Sequence, residues 1–202
     1  MPSLHGTRRM AVAVTVATAV AVSGCTASDS LADQYRSGTG QGYISGDGAY
    51  TVIAEADRGE PIEFSGVIEN GDTVSSDDYR GEVLVVNFWY AACPPCRLEA
   101  PDLEALAQQF EPDGVTFLGV NIYDQAPTAV SFAKEFGVTY QSILDVNSGS
   151  VRLAFAGEVA PNAVPNTLVL DRQGRVAARI SGLISEPSVL RSMISDALAE
   201  AP

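Results

Sequence analysis

Seven residues from Val83 to Trp89 read VLVVNFW, and four positions further on the chain reaches Cys93-Pro94-Pro95-Cys96. An almost unbroken apolar, β-branched run of this length suits a strand covered on both faces, inside a sheet with helices packed against it. The paired prolines suit the first positions of a helix, where a missing N–H costs least. Leu103, Leu106 and Phe110 then follow at helical spacing. The pattern predicts a buried strand that runs into a helix over Pro94–Phe110, with two thiols one turn apart at its start.

The same reading extends along the chain. Val115 to Ile122 (VTFLGVNI) forms a second apolar run, and Thr167 to Leu170 with Val176 to Ile180 frame a tight turn at Asp171-Arg172-Gln173-Gly174. Ile62 to Val67 and the turn Asn70-Gly71 predict an edge hairpin. Pro127 to Phe136 fits a helix closed by Gly137. Pro187 to Leu198 fits another, with Ser185 as its cap and Leu190, Met193 and Ile194 on its core face. The order β-α-β-α, an irregular section, then β-β-α implies an α/β domain with a mixed central sheet and helices on both faces.

The front of the chain is different. Arg8 and Arg9 precede an uncharged apolar stretch of signal-peptide length that ends at Val22-Ser23-Gly24-Cys25. This organisation gives a signal at 1–24, a polar tether at 25–42 and a domain at 43–202. Loss of the signal leaves 10 basic residues against 25 acidic ones, a net charge of −15. A surface that acidic repels phosphate backbones, so nucleic acid is excluded as a partner. The only histidine, His5, lies within the signal, which leaves the mature chain with no imidazole for a metal or a catalytic couple.

A Cys-x-x-Cys pair has three common uses. A zinc site needs four ligands, and neither a second pair nor a histidine completes this one. A structural disulfide over so short a loop constrains the unfolded chain little. Redox exchange needs a stabilised thiolate with a second thiol beside it. A helix N-terminus supplies that stabilisation through free N–H groups and the helix dipole.

With these residues in view, the chain resembles the thioredoxin superfamily, and within it the TlpA/ResA-like membrane-tethered oxidoreductases. The resemblance rests on Gly81 to Pro101 with its CPPC motif, on GVNIYD at 119–124, on VPNTLVLDRQGRV from Val164 to Val176, and on the Val-Ser-Gly-Cys lipobox. It implies that Cys93 is the exposed nucleophile and Cys96 the resolving thiol, the two forming the redox disulfide. Pro165 is then the proline whose cis peptide faces that disulfide, with Val164 and Trp89 contributing to the substrate surface and Pro101 kinking the helix. Cys25 becomes the lipidated N-terminus. Two departures stand out: Ala92 replaces a usual tryptophan, and Asn166 a usual threonine. Asn87 occupies the place of a buried acid, and Glu99, one turn beyond Cys96, is either a proton manager or a simple complement to the helix dipole. Asp124 and Asp145 read as solvated loop carboxylates.

The function implied is reduction of disulfides in exported proteins, apocytochrome c among them, with electrons from a membrane thiol donor. No cofactor and no metal are implied. The location implied is the outer face of the bacterial cytoplasmic membrane, held by the N-terminal lipid. A peroxiredoxin-like thiol peroxidase and a non-catalytic metal- or solute-binding lipoprotein are the alternatives; the paired cysteines disfavour the first, and the absence of a mature histidine disfavours a copper carrier.

Overall fold

The computed structural model describes residues 50–160 and 162–201. The signal, the whole tether with Cys25, and the first seven residues of the domain, 43–49, lie outside the described residues. Within the described residues eight strands run β1 (Tyr50–Val52), β2 (Ser65–Val67), β3 (Thr73–Ser75), β4 (Val83–Trp89), β5 (Val115–Asn121), β6 (Ser142–Leu144), β7 (Asn166–Leu170) and β8 (Val176–Ser181). Among the described residues the four α-helices are α1 (Pro94–Phe110), α2 (Ala126–Phe136), α3 (Ser150–Ala154) and α4 (Pro187–Ala199). Six strands form one sheet in the order β1-β8-β7-β4-β5-β6, while β2 and β3 form a separate hairpin. The β4–β5 and β5–β6 pairs are parallel; β7 runs antiparallel to β4 and to β8, and β1 antiparallel to β8.

Every residue of β4 is buried, as its apolar run requires. Alternation along the strand divides the core in two. Val83 and Val85 pack with Leu103, Leu106 and Phe110 of α1 and Leu190, Met193 and Ile194 of α4. Leu84, Val86 and Phe88 face the opposite way, against Phe64, Ile143, Val151 and Phe155. Helices therefore lie on both faces, unequally: α1, α2 and α4 on one, the short α3 and the hairpin segment on the other. At the hairpin turn Gly71 adopts φ +95°, a left-handed conformation that glycine takes without steric cost.

Three details differ from the sequence reading. The segment between α2 and β7 contains β6 and α3, and β1 extends the sheet at its other edge. The N-cap of α4 is Glu186 rather than Ser185, with no side-chain hydrogen bond to the helix. Asp145 is wholly buried, not solvated: its carboxylate accepts from the backbone N–H groups of Val151 and Arg152 and from the side chains of Arg152 and Ser148. It is buried because it satisfies the free donors at the start of α3.

Candidate active site

β4 ends at the centre of the sheet, and α1 starts five residues later at its C-terminal edge, where open α/β sheets bind their ligands. Cys93 is the N-cap of α1 and is joined to Cys96 by a disulfide. Pro94 and Pro95 have no N–H to offer, so the first turn presents the Cys96 N–H, which donates to Cys93 Sγ at 3.2 Å. The paired prolines thus concentrate backbone stabilisation of a Cys93 thiolate into one donor.

Both cysteines are 2% exposed, which corrects the expectation of an exposed Cys93. In the disulfide form they pack with Trp89, Ala100, Ala129 and Phe132, with Val164 against the same cluster. Trp89 is buried too: its ring lies 4.3 Å from that of Phe132, and its indole N–H donates to Ser142 Oγ. It supports the motif from below and offers no open wall to a substrate. The Val164–Pro165 peptide is cis. The β4–β7 register, which pairs Phe88 with Asn166, brings that peptide to the end of the sheet where the disulfide lies.

Glu99 is 1% exposed on the core-facing side of α1, which removes the reading of a solvated acid complementing the dipole. Its Oε1 accepts from Asn87 Nδ2 at 3.0 Å and its Oε2 from the Ile184 N–H at 3.1 Å. Asn87 also donates to Thr167 Oγ1 at 3.0 Å. Burial pushes the Glu99 carboxyl up to about 7, and the two hydrogen bonds offset only part of that rise. The acid and the asparagine that sequence reasoning treated separately are partners. A cavity of about 10 Å³, close to the space one water needs, lies behind Cys96 among Asn87, Trp89, Tyr140 and Ser142. Burial, with Glu99 and Glu104 nearby, also raises the Tyr140 phenol.

Two charged side chains lie beside the motif, one misjudged in the sequence reading and the other not singled out there. Asp124 is half-buried, not solvated, and accepts from the Ala91 N–H at 2.6 Å. Arg97 donates to the Ala91 carbonyl at 3.2 Å. The GVNIYD stretch carried a signal for the first, since an Asn three residues before an Asp at a strand end suits a side-chain-closed turn. Arg97 carried none.

The Redoxin family pattern matches residues 55–194. Thiol-disulfide oxidoreductase ResA of Geobacillus kaustophilus is 30% identical over 118 residues, covering 58% of this chain and 65% of the relative. That alignment spans slightly less than two thirds of the relative's length. The crystal structure of a DsbF homologue from Corynebacterium diphtheriae matches with a TM-score of 0.65 at 30% identity, covering 77% of this chain and 98% of the other. A secreted thiol-disulfide isomerase from Corynebacterium glutamicum matches with a TM-score of 0.67 at 28% identity, covering 78% and 97%. With a thioredoxin-like fold and a Cys93–Cys96 disulfide at the start of α1, the chain belongs to the Redoxin family, among the ResA-like members of the thioredoxin superfamily.

Proposed function

We propose that this protein is an extracytoplasmic thiol-disulfide oxidoreductase that reduces disulfides in exported proteins, apocytochrome c among them. The observation that carries the reading is the Cys93–Cys96 disulfide at the N-terminus of α1, with Val164 packed in the same cluster. In the dithiol form the Cys93 thiolate attacks a substrate disulfide, forming a mixed disulfide and releasing one substrate thiolate. Cys96 then attacks Cys93 Sγ; the intramolecular bond forms, the mixed disulfide breaks, and the second substrate sulfur leaves with the electron pair. A donor dithiol, read as a membrane thiol protein, returns two electrons to the pair.

Glu99 is the group that handles the proton on Cys96. A carboxyl near 7 exchanges a proton at neutral pH, which an ordinary glutamate does not. Lipidation at Cys25, with the chain held at the outer face of the cytoplasmic membrane, completes the reading; secreted relatives among the solved structures support the compartment.

The test uses Cys93→Ser, which should abolish disulfide exchange, and Cys96→Ser, which should accumulate mixed disulfides whose partners mass spectrometry identifies. Faster alkylation of Cys96 than of Cys93 at neutral pH would reverse the assignment. Turnover of peroxide without exchange of protein disulfides would favour the thiol peroxidase.

A further inference from the structure

Ala91, two residues before Cys93, has both of its backbone polar groups held by side chains of opposite charge. Its N–H donates to Asp124 Oδ2 at 2.6 Å, and its carbonyl accepts from Arg97 Nη1 at 3.2 Å. Neither holder is loose. The same Asp124 oxygen accepts from Asn121 Nδ2 at 2.9 Å, while Asn121 Oδ1 accepts from the Tyr123 and Asp124 N–H groups. Asn121 is wholly buried at the end of β5, in register with Trp89. Asp124 therefore fixes Ala91 to the sheet. Arg97 donates through Nη2 to Glu135 Oε1 at 2.6 Å, and its guanidinium lies 4.7 Å over the Phe136 ring. Arg97 therefore fixes Ala91 to α1 and α2.

The turn between these anchors has few bonds of its own. Cys93 N–H reaches the Tyr90 carbonyl at 3.1 Å, but Pro94 and Pro95 contribute no donors to the segment that follows. In the oxidised protein the Cys93–Cys96 bond restrains this turn covalently. Reduction removes that restraint, at the moment when the Cys93 sulfur has to be placed for attack and then for ring closure by Cys96. We propose that Asp124 and Arg97 are positioning residues that hold the Cys93 turn when the disulfide is open. This rests on the exchange reading above. The step most sensitive to the clamp is ring closure, because an intramolecular reaction draws its rate from fixed geometry.

The test follows reduced full-length chain, in a Cys25→Ala background, after mixing with an equimolar amount of the chromogenic disulfide 5,5′-dithiobis(2-nitrobenzoate). Attack by Cys93 releases one coloured thiolate; ring closure by Cys96 releases the second. Asp124→Ala should slow the second release about tenfold, within the ~100-fold that a 1 Å misplacement can cost. The first release should change far less. Asp124→Asn should restore most of the lost rate, because its amide oxygen still accepts from Ala91 while the charge is gone. Arg97→Ala, at a side chain 40% exposed, tests the other anchor without threatening the core and should slow the same phase. Second release at the unmodified rate in both alanine variants, with near-ultraviolet dichroism intact, overturns the proposal. So does equal slowing in Asp124→Asn, which would assign the effect to charge. If the unmodified dithiol gives no first release, the exchange reading itself fails, and the two failures remain distinct.

Discussion

Glu99→Gln makes the buried carboxyl measurable through stability. Glutamate ordinarily titrates near 4.5 and Glu99 near 7, chiefly because burial disfavours its charge. Between these values the folded chain keeps a proton that the unfolded chain has released, so stability falls as pH rises through the window. Below 4.5 both states are protonated and the effect vanishes. Above 7 both are ionised and the full penalty stands. At ~1.4 kcal/mol per pH unit the gap amounts to about 3 kcal/mol. A glutamine side chain cannot titrate. It brings a cost of about 1 kcal/mol if it leaves one of the two donors, Asn87 Nδ2 or the Ile184 N–H, without an oxygen. That cost is independent of pH, and an Asn87 amide flip answered by the Thr167 hydroxyl would reduce it. The assay is urea unfolding of the oxidised protein, in which neither cysteine titrates, at intervals from pH 4 to 8. The stability of Glu99→Gln relative to the unaltered protein should climb by about 3 kcal/mol across that range, with unchanged m-values. Parallel profiles would refute the argument that burial governs this acid.

In the reduced protein the same Glu99→Gln change should lower the apparent titration of the Cys93/Cys96 pair, because a nearby carboxylate disfavours a second negative charge; alkylation rate against pH measures it. Disulfide reduction at neutral pH should also slow. Cys25→Ala should move the protein from the membrane fraction to the soluble exported fraction and leave exchange by the purified chain unchanged. Gly119→Ala would press a Cβ into Ser142 Oγ and bring it to 2.8 Å from Trp89 Nε1. Overpacking of this kind costs ~1–3 kcal/mol, which a thermal melt should show as a fall of roughly 3–10 °C.

The parts legible in the sequence were those with a long period or a fixed chemical demand. β4 declared itself by seven consecutive buried residues, and α1 by its prolines and its 3–4 spacing. The Asn87–Glu99 contact was within reach of the same reasoning. Asn87 shares a strand face with Val83 and Val85, and Glu99 sits on the α1 stripe of Cys96, Ala100 and Leu103, so the one polar residue of that strand face meets one of the two buried acids of the helix, Glu99 and not Glu104. What stayed hidden depends on distant partners. β1 and β6 have three residues each, too few to carry a period, and exist because β8 and β5 pair with them. Asp145 looked like a loop acid because nothing in its neighbourhood announces that α3 needs its first N–H groups capped. The burial of Cys93 follows from a tertiary cluster that draws in Ala129, Phe132 and Val164, all far along the chain.

The edge strand β1 has a mechanical consequence. Tyr50 lies opposite Ile180, and β8 carries Ser181 level with Asn166 and hence with Phe88, at the end of the sheet from which the CPPC segment departs. Polypeptide upstream of Tyr50 therefore joins the domain at its redox end, three strand spacings or roughly 14 Å to the side of β4. A force applied at Tyr50 would load the β1–β8 pair first, at the end of the sheet that carries the disulfide, while the opposite end would feel it only through the whole length of the strands.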